Sequence, residues 1–188
     1  MGEVIKRLGL LRQVFKGDID SHLAWSEMPP LWRTLRPFSM VRHPWAWVRS
    51  RWSHSMEHGI TADYRHYGIN RRFDNCVRRT FLDTVKTVLR VDPGVVSWTF
   101  HQMQDGIPIG NLRCTDDLPG AAYELLSQFE DVDPVAFAEA SSIEPFNGTS
   151  TMDKYKAEFD AVPESIVQRF IESEAELVRL YESVRRNH

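Results

Sequence analysis

An apolar run over residues 37–42 ends in Arg42, and Pro44, two residues later, opens a segment dense in tryptophan and arginine. A short apolar run that stops at a charge and a proline predicts a buried strand. Proline is favoured in the first turn of a helix, because its missing N–H would have no partner there. We therefore predict a strand over 37–42 and a helix over 44–57, with Arg42 where the two meet.

The rest of the chain offers one further strand among many helical patterns. An aliphatic run over 109–114 follows the turn signal Asp105-Gly106 and predicts that second strand. Apolar spacing predicts helices over 3–16, 73–90, 95–103, 119–129, 133–140 and 163–186, with loops over 59–71 and 141–153. Strands mixed with helices indicate an α/β fold, a small central parallel sheet flanked by helices. Two strands are few for a parallel sheet that is covered on both faces.

The last predicted helix, 163–186, has one apolar face and one acidic face. Helices of this kind bury the apolar face and leave the charged face in water. We expect Glu172, Glu174 and Glu176 on the solvent side, and we interpret the apolar face as core packing.

Length and charge limit the classes of function. A chain of 188 residues, 42% of them apolar and 26% charged, fits one soluble domain over 1–188. The formal net charge of −3 means that any binding of polyanions must be local. The sequence has no apolar run of membrane-spanning length and no secretion signal, so we expect a cytoplasmic protein without a membrane partner.

The cysteines and histidines do not form a metal-binding pattern. Cys76 and Cys114 are far apart and belong to no CxxC motif, which predicts a reducing compartment, no disulfide and no zinc. His54 and His58 are spaced to share a helix face, but no third ligand stands near them. We predict no metal.

The strand end at Arg42 is a candidate anion site. Ligands of α/β folds collect at the carboxyl ends of strands, and the first turn of a helix attracts phosphate or sulfate. A guanidinium suits phosphate because it can donate two parallel hydrogen bonds. Ser50, inside the helix, would add a hydroxyl donor. These residue types leave two interpretations open: an anion site, or a structural arginine with a solvent-facing serine.

The stretch FSMVRHPWAWVRSRW resembles the 3′-phosphate-binding segment of sulfotransferases that use 3′-phosphoadenosine 5′-phosphosulfate (PAPS). That segment has an apolar strand, Arg, a variable residue, Pro, five variable residues, Ser, and then an aromatic residue. Arg42, Pro44, Ser50 and Trp52 fit this spacing. The resemblance implies that Arg42 and Ser50 bind the 3′-phosphate, in a three-layer fold related to the nucleotide kinases. It also implies transfer of a sulfuryl group from PAPS to a hydroxyl or amine of a small-molecule or carbohydrate acceptor.

Two later segments resemble the same family. HQMQDGIPIGNLRCTDDL, residues 101–118, is similar to an aliphatic strand that ends near an acidic–leucine pair and leads into a helix. FNGTSTMDKYKAEFD, residues 146–160, resembles a late loop with Asn and Ser before a Tyr. By this resemblance, Asn147 and Ser150 line the nucleotide or the acceptor.

His22 is the candidate catalytic base. Several members of the family have a His-Leu pair before the phosphate-binding arginine, and His22-Leu23 stands about 20 residues before Arg42. An imidazole titrates near neutral pH and is therefore suited to taking a proton from an acceptor hydroxyl. A surface or capping histidine remains the alternative interpretation.

One part of the family pattern is not found. Such sulfotransferases open with a strand and a glycine-rich loop carrying Lys or Arg, whose N–H groups hold the 5′-phosphosulfate. In residues 1–20, Lys16-Gly17-Asp18 follows a helical pattern instead. We expect the sequence as given to lack this first unit. A misplaced gene start, a shortened fragment and a protein that has lost its activity remain open explanations, so enzymatic activity is an open question.

Two other classes of function stay under consideration. One is a non-catalytic remnant, binding protein or scaffold on the same fold. The other is a single-stranded nucleic-acid module, suggested by the aromatic and basic loop 64–67 with Arg71 and Arg72. The net charge and the absence of a known binding motif argue against nucleic acid. A shortened sheet exposes an edge, so we also expect homo-oligomers.

Overall fold

A computed structural model of the chain describes residues 39–59, 71–104, 106–116, 118–128, 131–141 and 150–187. These ranges contain two strands, β1 (Ser39–Val41) and β2 (Leu112–Cys114). The helices are α1 (Pro44–His58), α2 (Arg71–Asp74), α3 (Phe81–Val91), α4 (Val95–Gln104), α5 (Leu118–Ser127), α6 (Pro134–Ser141), α7 (Ser150–Lys154), α8 (Lys156–Asp160), α9 (Glu164–Ser173) and α10 (Ala175–Arg186). The helix predicted over 3–16 and most of the loop predicted over 59–71 lie outside the described residues.

The two strands pair in parallel, with Ser39 opposite Leu112 and Val41 opposite Cys114. The pairing continues one step further, because the Thr115 N–H donates to the Val41 carbonyl at 3.0 Å. Helices α1 to α4 lie between the strands in sequence, as a parallel crossover requires. Helix α10 packs on both strands and α5 packs on β2. The described part of the chain is therefore helix-rich with a small parallel sheet, consistent with an α/β fold.

Helix α1 begins and ends close to the predicted 44–57. Pro44 is its first residue, and His43 caps it by accepting a hydrogen bond from the Trp45 N–H at Nδ1, at 3.3 Å. The helix ends before Gly59, whose φ of 70° lies in the region that favours glycine. The helices predicted over 95–103, 119–129 and 133–140 are also confirmed, within two residues at each end.

The single helix predicted over 73–90 is wrong. The structure has the short helix α2, a turn, and then α3. The Arg78 carbonyl in the turn accepts a hydrogen bond from the Trp52 indole at 3.0 Å, and the Arg78 N–H donates to Thr84 Oγ1 at 2.8 Å. These two partners, one of them distant in sequence, satisfy the Arg78 backbone without a continuous helix. Thr80 then caps α3 by accepting from the Asp83 N–H.

The single helix predicted over 163–186 is also wrong, because it breaks at Glu174 between α9 and α10. Glu174 was expected in water, yet its side chain is 0% exposed. Its carboxylate accepts from the N–H groups of Val96 and Ser97, at 3.2 and 2.7 Å, and from the Ser97 hydroxyl at 2.7 Å. The residue therefore faces the first turn of α4 and joins it to the α9–α10 junction.

Two further predictions differ from the structure in their bounds. The second strand is shorter than the predicted 109–114, because Ile109–Asn111 forms a turn of 3-10 helix and only Leu112–Cys114 is extended. The loop predicted over 141–153 contains the start of α7, which begins at Ser150.

The main core lies between the sheet and helices α1, α3, α4, α9 and α10. Its aromatic rings meet edge to face: the centroids of Trp52 and Phe81 are 5.5 Å apart, and those of Phe81 and Phe159 are 4.8 Å apart. Such pairs add to the stability gained from apolar burial. This packing holds α1, and hence the strand end before it, in a fixed position.

A second and smaller cluster holds α5 and α6 together. Its buried members are Ala122, Leu126, Val132 and Phe137. Met40 on β1 packs against them from the sheet side. Among the described helices, none has both the length and the apolar composition that crossing a bilayer requires.

Candidate functional site

The carboxyl ends of β1 and β2 bring several polar side chains to one edge of the sheet. Arg42 and His43 follow β1 directly, and Asp116 follows β2 after one residue. Helix α10 crosses this edge and contributes Tyr181 and Arg185. This is the edge at which α/β folds place their ligands.

Arg42 is half-buried at this edge. Burial lowers the pKa of its guanidinium, and the nearby Asp116 carboxylate opposes that shift. Arginine stays protonated nonetheless, since its ordinary pKa is far above neutrality. Within the described ranges, no hydrogen bond and no ion pair within 4.0 Å involves this guanidinium. Arg42 is thus a partly desolvated cation that no described side chain or carbonyl holds by a hydrogen bond.

His43 presents an N–H at the same edge. Its Nδ1 accepts from the Trp45 N–H, so the neutral imidazole carries its proton on Nε2. Burial lowers the pKa of His43, with Glu182 and Asp116 acting in the opposite direction. Its ring packs edge-on against Tyr181, with centroids 5.2 Å apart. At neutral pH His43 is therefore mostly an uncharged hydrogen-bond donor beside Arg42.

The side-chain partners of Asp116 are on α10. The Tyr181 hydroxyl donates to Asp116 Oδ2, and Arg185 Nε lies 3.9 Å from the same oxygen. Burial, and then the bond to Asp116, raise the pKa of the Tyr181 phenol, which keeps its proton. The carboxylate lowers the positive potential near Arg42 without forming an ion pair with it.

Ser50 lies two turns into α1 and is half-buried. It comes seven positions after His43 in the chain, which places it about 10 Å further along the helix axis. The described contacts include no hydrogen bond between the Ser50 hydroxyl and Arg42. The neighbouring Arg49 packs over the Phe159 ring at 4.5 Å, and its buried Nε has no hydrogen-bond partner.

Of the other three predicted site residues, the structure describes one, Ser150. His22 and Asn147 lie outside the described residues. Ser150 is the first residue of α7. In the part of the chain that the structure describes, no cluster of three or more His, Cys, Asp or Glu side chains is arranged to hold a metal ion.

Arg72, which together with Arg71 and the loop 64–67 suggested nucleic-acid binding, has partners in the protein. Arg72 forms two hydrogen bonds with Asp92, one of them from Nε at 2.8 Å, and its guanidinium stacks on Trp98 at 4.3 Å. Its charge is therefore largely matched. The basic loop 64–67 lies outside the described residues.

Cys76 is buried and Cys114 is half-buried. Cys76 is 1% exposed, and burial raises its pKa. Burial also raises the pKa of Cys114 to about 11, and its Sγ lies 3.6 Å from the Tyr181 carbonyl. Thiolates are the reactive form of cysteine, so a raised pKa disfavours both residues as nucleophiles.

Sequence reasoning missed His43, Asp116 and Tyr181. Asp116 had a usable signal, because it follows the second predicted strand and the carboxyl ends of parallel strands meet at one edge. Tyr181 had none beyond its place on an apolar helix face.

Comparisons with family models, curated proteins and solved structures return no match for the chain.

Proposed function

We propose that the chain is a sulfotransferase-type domain with helices on both faces of its sheet, and that it binds the 3′-phosphate of PAPS or of its nucleotide product. One observation carries the proposal: the half-buried Arg42 guanidinium at the carboxyl end of a parallel strand, beside the first turn of α1. The resemblance of residues 38–52 to the family's phosphate-binding segment agrees with that position.

The charge at Arg42 favours an external anion. A partly desolvated cation gains free energy when it forms charge-assisted hydrogen bonds. Among the described side chains, Asp116 is the acid nearest to that role, and it is bonded instead to Tyr181 and close to Arg185. A phosphate dianion would supply the missing countercharge, with the His43 N–H as a second donor.

The reaction follows from the resemblance. Ser50 would donate its hydroxyl to the same phosphate as Arg42. Asn147 and Ser150 would line the nucleotide or the acceptor. His22 would take the proton from the acceptor's hydroxyl or amine as the sulfuryl group is transferred from PAPS to a small-molecule or carbohydrate acceptor.

Calorimetry with adenosine 3′,5′-bisphosphate tests the nucleotide site. We expect Arg42→Ala to weaken binding about tenfold or more, the loss of one charge-assisted contact. Adenosine 5′-monophosphate lacks the 3′-phosphate, so it should bind the wild type and Arg42→Ala equally.

Arg169→Ala is the matched control, because Arg169 is exposed on α9 and removing it changes the net charge equally. It should leave bisphosphate affinity unchanged. Equal bisphosphate affinity in Arg42→Ala and the wild type would remove Arg42 from the site. A wild type that binds neither nucleotide would favour the non-catalytic scaffold.

A further inference from the structure

A cavity of about 230 Å³ is lined by helix α4, by the chain that leads into β2, and by helix α10; we call it the α4–α10 cavity. Most of its described lining is apolar, and Phe100, Leu112 and Leu177 belong to the buried main core. The apolar lining residues are Phe100, Ile107, Ile109, Leu112, Leu177 and Leu180. Such walls favour an apolar occupant, because covering them removes apolar surface from water.

The α4–α10 cavity is separate from the candidate site around Arg42. It reaches the sheet at Leu112, the first residue of β2, whereas Arg42 and Asp116 follow the carboxyl ends of the two strands. None of the described lining residues is among the side chains gathered at those strand ends. A molecule in this cavity would therefore be bound apart from the nucleotide.

One buried polar atom of the lining residues lacks a hydrogen-bond partner. Gln104 is 8% exposed, and its Nε2 donates to Ser39 Oγ at 3.1 Å and to the Met40 carbonyl at 3.2 Å. Its Oε1 is buried and has no partner. Turning the amide over would place an oxygen against the Met40 carbonyl and lose that bond. The bonds to β1 therefore fix the amide, and Oε1 is an acceptor that needs a donor from elsewhere.

The other polar side chains of the described lining have partners. The Ser97 hydroxyl donates to Glu174 Oε2 at 2.7 Å, and His101 Nε2 lies 2.9 Å from Glu176 Oε1. None of the described lining residues is Asp, Glu, Lys or Arg. A charged occupant would lose its hydration without gaining a countercharge from these walls. Gln104 Oε1 is thus the polar group through which the cavity can select an uncharged occupant.

The volume of the cavity limits the size of that occupant. An apolar cavity of about 150 Å³ is large enough to hold benzene. The α4–α10 cavity, at about 230 Å³, therefore has room for one ring with a substituent or for two small fused rings. A molecule of this size with one N–H or O–H group could cover the apolar walls and also donate to Oε1.

We propose that the α4–α10 cavity binds a small, uncharged, mainly apolar molecule that donates one hydrogen bond to Gln104 Oε1. This site goes beyond the nucleotide site and does not depend on it. A water molecule could also donate to Oε1, but it would leave the apolar walls without a matching surface. The experiment therefore has to separate an apolar donor from water alone.

Indole and benzofuran are the probes, because they have nearly the same shape and only indole carries an N–H. Calorimetry with the full chain measures their binding. We expect the wild type to bind indole at least about fivefold more tightly than benzofuran, the difference that one ordinary hydrogen bond makes. Gln104→Met keeps the length of the side chain but lacks Oε1, so it should bind the two probes within about twofold of each other.

A second variant tests the cavity and leaves Gln104 in place. Ile109 lines the cavity and is 50% exposed, so a larger side chain can be accommodated there without disturbing the core. Ile109→Trp should occupy part of the cavity and weaken the binding of both probes at least about tenfold. Val135→Trp is the matched control, because Val135 is 65% exposed on α6 and does not line the cavity. It should bind both probes as the wild type does.

Several results would overturn the proposal. A wild type that binds neither probe at millimolar concentration would leave Oε1 to water alone. Equal binding of indole and benzofuran, or a preference for indole that survives in Gln104→Met, would mean that Oε1 is not the acceptor. Unchanged binding in Ile109→Trp would place the probes elsewhere on the molecule. Thermal midpoints followed by circular dichroism check that each variant folds, and if Gln104→Met does not, the probe pair and Ile109→Trp still decide.

Discussion

Glu174 shows how one residue can decide local structure. Its buried carboxylate receives three hydrogen bonds, and two of them come from backbone N–H groups of Val96 and Ser97 in the first turn of α4. Those N–H groups have no partner inside their own helix, and the positive end of the helix favours a negative charge. These contacts offset part of the cost of burying a carboxylate.

We expect Glu174→Gln to lower the free energy of unfolding by about 1–3 kcal/mol, because one amide N–H₂ group would replace an acceptor that faces backbone donors. Urea unfolding measures the change. Glu172→Gln is the control. Glu172 lies two residues earlier, on α9, and is exposed, so its replacement should change the stability little. Equal stability of the two variants would mean that the donors around Glu174 find other partners.

The same residue gives stability a pH dependence. Burial raises the pKa of Glu174 above 4.5, while its hydrogen bonds to Ser97 and Val96 act in the opposite direction. A raised pKa means that the folded state takes up the proton first, so this residue favours folding more as the pH falls through that pKa toward 4.5. The stability of the wild type relative to Glu174→Gln should therefore rise on acidification, measured by urea unfolding at several pH values. A relative stability that falls on acidification would contradict the raised pKa.

At the scale of elements, the break between α2 and α3 is a feature that local sequence patterns could not predict. Apolar spacing over 73–90 fits one helix, and nothing local to the segment shows that Trp52 will bond the Arg78 carbonyl from α1. Thr80 was a weak local signal, because threonine followed by an acid three residues later is a helix-start pattern. The helix over 44–57 was predictable, because its starting proline and its apolar spacing agree with its packing.

The candidate site also contains both a residue that could be predicted from sequence and residues that could not. Arg42 could be placed at a strand end from sequence, because an apolar run, an arginine and a helix-starting proline are adjacent. His43, Asp116 and Tyr181 meet Arg42 only through the pairing of β1 with β2 and the docking of α10. Those contacts join residues that are far apart in the chain, and single-residue patterns carry no information about them.

Thr80→Ala should destabilise the protein by about 1 kcal/mol, because the Asp83 N–H loses the acceptor that begins α3. Thr80→Ser keeps the hydroxyl and should cost distinctly less. Thermal or chemical unfolding of the two variants provides the comparison. A serine variant as unstable as the alanine variant would assign the effect to the lost methyl group rather than to the cap.

At the scale of the whole molecule, stability is unevenly distributed. The main cluster joins the sheet to helices along the described chain, whereas α6 packs mainly on α5 through a cluster of four buried side chains. Free energies of local opening follow the amount of buried apolar contact. The α5–α6 pair is therefore the less stable part of the described core.

Hydrogen exchange followed by mass spectrometry can test this difference. Amides in α6 should exchange before those in α3, and Phe137→Ala should speed exchange in α5 and α6 while leaving α3 unchanged. Val85→Ala, in the main cluster, is the counterpart and should speed exchange broadly. Uniform acceleration by Phe137→Ala would show that the two clusters open as one unit.

The raised pKa of both thiols has a practical consequence. Cys76 is buried, Cys114 is half-buried, and burial raises the pKa of both thiols, so a maleimide dye should react more slowly with either of them than with an exposed cysteine. A cysteine introduced at an exposed position such as 169 would be labelled first. We therefore expect a fluorescent reporter to attach mainly to the introduced cysteine, with the chain's own two cysteines left in place.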